Sequence, residues 1–130
     1  MATRLLLLAV AGSVGALCRY GLSGVVQRAV VAQFPYGTLV VNVVASFLAG
    51  LLFGLFESRW PLSTEARIIV MVGFLGAFST FSSVMLETAN LARDGQWLSV
   101  AGNLLLQNSL GMVAVFAGFA AAHLLQGGAA

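Results

Sequence analysis

Residues 68–87 read IIVMVGFLGAFSTFSSVMLE, and the nature of the whole chain follows from this stretch. From Ile68 to Phe78 it is apolar, with Gly73 and Gly76 inside it. Ser79-Thr80-Phe81-Ser82-Ser83 then puts four hydroxyls into five residues, before Val84-Met85-Leu86-Glu87. A helix that crosses the hydrocarbon core needs about 20 apolar residues, and this segment has that length with one charge at its end. Eleven helical residues from Ile68 rise only about 16 Å, so the hydroxyls fall near the middle of the bilayer. Two readings are open there: a continuous Ser/Thr-rich helix, or a helix broken near mid-membrane. Non-helical backbone at that depth is tolerated only where protein buries it or where it lines a cavity. The carbonyls freed by such a break commonly coordinate a cation.

Working outward, the rest of the chain requires the same solvent. Of 130 residues, 60% are hydrophobic and only 8% charged, and the mean hydropathy is +1.00. A soluble domain is about a quarter charged, so this chain cannot cover a water-facing surface. Disorder needs the opposite composition. The apolar runs divide into four transmembrane helices, at about 5–26, 36–56, 68–89 and 98–125, within a single all-α domain covering 1–130. Nothing alternates with period two as a transmembrane barrel would. Tyr36, Trp60 and Trp97 stand at predicted span ends, where amphipathic rings prefer the interface. Leu5 to Val10 after Arg4 imitates a secretory signal. Leu17 ahead of Cys18 fails the lipoprotein pattern, however, and apolar sequence resumes after Arg19, so a first span is expected.

Charge and cysteine exclude several function classes. The six arginines do not cluster, and no nucleic-acid footprint exists. Cys18 alone permits no internal disulfide or Cys-based metal site, and it reads as a packing residue. His123 is the sole histidine and sits at a span end, so neither a nucleophile–base–orienter set nor a zinc site can form, and an enzyme is not expected. Loop arginines divide as Arg4, Arg59 and Arg67 on one side against Arg28 and Arg93 on the other. Positive-inside bias sets topology, and this count has almost none. It admits a single weakly set orientation, or insertion both ways round and with it an antiparallel dimer.

Polar residues inside a membrane are costly and need partners. Thr38, Asn42, Ser46, Gly50 and Gly54 recur every four residues and share one face of the second span. Ser46-Gly50-Gly54 reads as a seam of small residues for helix contact, whereas Asn42 either joins helices or handles a substrate. Ser99, Asn103, Gln107 and Gly111 form a like row in the fourth span, its two amides facing a bundle or a wet cavity; Asn108 and Ser109 read as packing contacts. Arg19 inside the first span either snorkels or lends positive potential to an anion path. Glu87 shares a helix face with Thr80 and Ser83, to pair with Arg19 or to close a polar network.

Gly15-Ala16-Leu17-Cys18-Arg19-Tyr20, Gly37-Thr38-Leu39-Val40-Val41-Asn42, and Gly73 to Ser83 with Glu87 together resemble the Fluc fluoride channels, also called CrcB proteins. The resemblance covers nearly the whole chain. It implies an antiparallel dual-topology dimer in the bacterial inner (plasma) membrane, exporting fluoride passively through two pores. It also implies a third helix broken mid-membrane and a structural Na⁺ at the dimer interface, held by backbone carbonyls that motif position assigns to Gly76 and Ser79. Asn42 would be the pore amide and Phe81 an aromatic along the fluoride path, with Thr38, Ser82 and Ser83 on the polar stripe. Arg19 would stand near the vestibule and Glu87 in the network beside the pore.

Physical chemistry fits these roles, since a small, strongly hydrated anion must exchange its water for N–H and O–H donors or the positive edge of a ring. The departures bear on rate and selectivity rather than fold. Val84 stands where the family shows a second phenylalanine, Ala77 replaces a frequent glycine, and Asn103, Gln107 and Gly111 fall where a tyrosine and serines line the pore. Some family members are obligate heterodimers, so homodimer and heterodimer both remain open. The rival readings are a small multidrug-resistance type proton-coupled exporter and a non-transporting membrane subunit. The exporter needs a carboxylate in span one, where this chain has Arg19.

Overall fold

Apolar segments without water must satisfy every backbone N–H and C=O internally, and here helices do so. The computed structural model describes residues 1–58 and 62–127; Arg59, Trp60 and Pro61, with the loop charge and interfacial ring expected there, and Gly128 lie outside them. In chain order come α1 (Ala2–Ala29), α2 (Tyr36–Ser58), α3 (Thr64–Ile68), a π-helical segment (Ile69–Leu75), α4 (Gly76–Phe78), α5 (Phe81–Arg93) and α6 (Trp97–Gly127). Among the described residues, four stretches are long and apolar enough to cross a membrane: Ala2–Ala29, Tyr36–Glu57, Thr64–Arg93 and Trp97–Gly127.

Local chemistry fixes the ends. The Ser63 hydroxyl accepts from the Ala66 N–H at 3.2 Å and so caps α3. Gly95, at φ +70°, turns the chain out of α5. Its N–H bonds to Ala92 O at 3.0 Å, and the Gln96 N–H bonds to Leu91 O at 2.9 Å, closing carbonyls that the helix end would leave open. Between α1 and α2 the hook is a side chain. Gln27 Nε2 donates to Ala32 O at 2.9 Å and to Phe34 O at 3.2 Å, while its Oε1 accepts from the Gly37 N–H at 3.1 Å.

Small residues let the helices approach to backbone contact, which is how association proceeds where lipid removes the hydrophobic drive between helices. The main packing pair is α2 on α6. A Cβ on Gly50 would strike the Val115 carbonyl, and one on Gly118 would strike the Phe47 carbonyl. The seam continues in both directions, with Gly54 against Ala122 and Ser46 against Gly111. A second crossing joins α1 to the π-helical segment, with Gly15 against the Phe74 carbonyl and Gly73 against Ala11. Val41, Ala45, Leu75 and Phe78 form the buried core between them, and the Phe74 and Phe78 rings stack at 5.6 Å.

Elsewhere the surface is apolar, with Leu5, Leu17, Leu105 and Phe116 among its exposed side chains. Cys18, expected as a packing residue, is exposed. The bundle-facing contacts of α1 come instead from Ala11, Gly12 and Gly15.

Candidate functional site

Helical backbone stops at Phe78 and resumes at Phe81. Ser79 (φ −80°, ψ 160°) and Thr80 (φ −153°, ψ 114°) between them are extended. The Ser79 N–H and hydroxyl both bond to Leu75 O, at 3.0 and 3.1 Å. In an unbroken α-helix the Thr80 N–H would meet the Gly76 carbonyl. Here it donates to Asn42 Oδ1 at 2.9 Å, and the Thr80 carbonyl accepts from Asn42 Nδ2 at 3.1 Å. One α2 side chain therefore satisfies both backbone groups of the residue where α5 begins. The Thr80 hydroxyl does the capping: it accepts from the Ser83 N–H at 3.2 Å and donates to the Ser83 hydroxyl at 3.0 Å.

From Asn42 a row of amides runs across α6 and returns to α5. Asn42 Nδ2 donates to Gln107 Oε1 at 3.0 Å, and Gln107 Nε2 donates to Asn103 Oδ1 at 3.4 Å. Asn103 Nδ2 donates to Thr88 Oγ1 at 3.0 Å, and that hydroxyl donates to Val84 O at 2.6 Å. Asn103 is fully buried.

Two hollows flank this assembly. The larger, about 370 Å³, is lined by Arg19, Tyr20, Thr38, Thr80, Ser83 and Glu87. Within it the Thr38 hydroxyl donates to Glu87 Oε1 at 2.5 Å, while Glu87 Oε2 and Arg19 Nε are buried and have no hydrogen-bond partner among the described residues. The smaller, about 230 Å³, is lined by Asn42, Thr80, Phe81, Val84 and Gln107 among others. Thr80 lines both. Phe81 stands 76% exposed, whereas Val84 is only 4% exposed. Ser82 is also exposed, its hydroxyl 3.4 Å from that of Thr80. Gly76 and Ser79 border a third hollow with Ser46, and both are exposed.

The sequence-derived candidates thus separate into groups. Arg19, Thr38, Ser83 and Glu87 meet at the larger hollow, and Asn42, Phe81, Val84 and Gln107 at the smaller one. Asn103 touches neither. Asn108 and Ser109 bond to Leu104 O and Leu105 O of their own helix. Sequence reasoning missed Thr88 as a partner of Asn103, although a hydroxyl one residue past Glu87 in an apolar helix is a signal. It also missed Gln27 as the loop hook.

A neutral oxygen donor set suits a hard monovalent cation. Diversion of the Thr80 N–H to Asn42 removes the usual α-helical donor from the Gly76 carbonyl, beside the extended Ser79. A Na⁺ at Gly76 and Ser79 would require oxygen donors of this kind.

Residues 6–119 match the family model described as CrcB-like protein, Camphor Resistance (CrcB). Among similar proteins, the fluoride-specific ion channel FluC of Desulforapulum autotrophicum is 50% identical over 96% of this chain and 100% of its own length. The FluC of Nitrosococcus oceani is 47% identical over 91% of this chain and 94% of its own. That of Maridesulfovibrio salexigens is 43% identical over 92% and 95%. With a match that spans all four helices and relatives this close over nearly their full lengths, the chain belongs to the CrcB family.

Proposed function

We propose that this chain forms a fluoride channel that lets the ion leave the cytoplasm passively, down its electrochemical gradient. The observation that carries the reading is the helix interruption at Thr80, flanked by N–H and O–H donors, in a chain whose relatives are named fluoride-specific channels. Fluoride gives up strongly held water only where donors replace it.

On this reading the ion enters the larger hollow, where the Arg19 guanidinium, its buried Nε without a partner among the described residues, supplies positive potential. It then passes Thr38 and the hydroxyls of Thr80, Ser82 and Ser83, and reaches the groove between Phe81, Val84 and the amides of Asn42 and Gln107. The exposed Phe81 ring turns its electropositive edge to the anion. Gln107 Nε2 spends one hydrogen on Asn103, and its second has no partner among the described residues. Glu87, held by Thr38, keeps a carboxylate at the side of the path and orders its hydroxyls.

The pore works as an antiparallel dual-topology dimer in the bacterial inner membrane, its third span broken near mid-membrane. The exposure of Phe81, Gly76 and Ser79 in one chain supports this, because a second copy would close the groove over them. The Gly76 and Ser79 carbonyls of both copies would hold a structural Na⁺. When bound, that ion supplies positive potential that offsets part of the anion's desolvation cost. Purified protein in liposomes, followed with a fluoride electrode, tests the proposal. Rapid fluoride efflux with chloride retained supports a self-sufficient homodimeric channel. No efflux from folded protein alone, restored by a co-expressed second subunit, would establish a heterodimer. No efflux in either case would refute it.

A further inference from the structure

The amide row has a direction, and that direction carries information. Thr80 N–H donates to Asn42, Asn42 to Gln107, Gln107 to Asn103, Asn103 to Thr88, and Thr88 to Val84 O. Every link is a neutral bond, and each member gives in the same sense. The circuit starts at Thr80, the residue that caps α5, crosses α2 and α6, and ends on the α5 backbone one turn further along.

Such a chain leaves no freedom to its amides. Asn42 must turn Oδ1 to the Thr80 N–H, so its Nδ2 faces α6 and Gln107 must present Oε1. Gln107 Nε2 then needs an acceptor on the far side, and Asn103 Oδ1 is that acceptor. If Gln107 turned over, two N–H groups would face each other at Asn42 and two oxygens at the buried Asn103, and neither pair could hydrogen-bond. Chains of this kind strengthen cooperatively and define one arrangement when every member is satisfied.

We infer that Asn103 is a positioning residue of the conduction site: completely buried and clear of both hollows, it fixes the orientation of Gln107, which commits Asn42 to the Thr80 backbone. This rests on the proposed channel function for its effect on flux, but not for its effect on structure. It separates the two fourth-span amides that the sequence places together on the pore. Gln107 borders the groove, while Asn103 acts only through it. Thr88 is the anchor of the same device.

The test uses two readouts on the full-length protein. Asn103→Leu removes the acceptor and donor while keeping the number and branching of side-chain heavy atoms. Fluoride efflux should fall about tenfold, the loss expected when one buried amide is left unpaired. Hydrogen exchange at the Thr80 amide should quicken while the Gln96 amide in the α5–α6 turn stays as in the parent. Thr88→Val, a milder change at the end of the row, should move both in the same direction and guards against a folding failure of the first variant. In a Gln107→Met background, Asn103→Leu should reduce efflux no further, because the link it acts through is already gone. A purely structural loss would multiply instead, and that outcome overturns the assignment. Unchanged Thr80 exchange in both Asn103→Leu and Thr88→Val overturns it as well. If the parent protein carries no fluoride, the channel reading fails alone, and the exchange measurement still decides the role of Asn103.

Discussion

Asn42 and Thr80 are joined by two hydrogen bonds of opposite sense, at 2.9 and 3.1 Å, so that a side-chain amide stands where a neighbouring strand would offer its backbone. An extended residue between two helices needs such a partner, because its N–H has left the helical ladder. Asn42→Ala leaves the Thr80 N–H unpaired. That costs about 1–3 kcal/mol, so the unfolding midpoint should drop and fluoride efflux should fall about tenfold. A fluoride electrode and thermal unfolding in detergent read the two effects.

Phe81 separates conduction from folding. At 76% exposure it contributes little packing within its own chain, so Phe81→Ile should leave the fold of the single chain intact. Loss of the ring edge should nonetheless slow efflux several-fold. Normal efflux in this variant would remove Phe81 from the path.

Gly118 tests the α2–α6 crossing. Its Cβ position is filled by the Phe47 carbonyl and lies 2.6 Å from the Leu51 nitrogen, both backbone atoms that cannot swing aside. Gly118→Val should destabilise by at least the 1–3 kcal/mol or so of an overpacked core. Gly21→Ala, where nothing stands within 4 Å of the added carbon, should leave the unfolding midpoint unchanged or raised. Comparison of the two midpoints checks the prediction.

Val84 bears on the departure from the family pattern. The resemblance places a phenylalanine there, but the valine is 4% exposed and its carbonyl anchors the Thr88 hydroxyl. Val84→Phe should therefore cost about 1–3 kcal/mol through crowding, visible as a lower unfolding midpoint even if efflux improves.

The cation is open to a direct experiment. With Na⁺ replaced by N-methylglucamine on both sides of the membrane, efflux should decline, and it should recover when Na⁺ returns. Efflux indifferent to the exchange would exclude a Na⁺ requirement at Gly76 and Ser79.

Much of this was legible in the sequence, and the boundary has a physical cause. Hydropathy reports which segments shun water, so the four membrane-length helices could be read directly. Spacing of four reports a shared face, so Ser46, Gly50 and Gly54 could be read as a seam. What spacing lacks is the partner. Asn42, Asn103 and Gln107 lie on readable faces, yet nothing local says that Asn42 meets a backbone on another helix or that Asn103 faces Thr88. Those pairings depend on how far helices are rotated against each other, which the glycines at 15, 50, 73 and 118 settle in three dimensions. The π-helical segment Ile69–Leu75 has no composition to distinguish it from an ordinary helix. Cys18 is exposed in the single chain, a small apolar side chain that suits lipid as well as protein.

The order of packing also constrains how the molecule is made. Gly50 finds its backbone contact on α6, the final span, and α1 rests on the third span as well as on its neighbour α2. The two turns held by Gln27 and Gly95 can form as soon as their residues leave the ribosome, but the seam along α2 stays open to lipid until the fourth span has been inserted. Biosynthesis therefore passes through a state in which polar groups, Asn42 among them, still lack the partners that α6 supplies. A chain truncated before α6 should remain a substrate for membrane quality control, whatever the fidelity of its first three insertions.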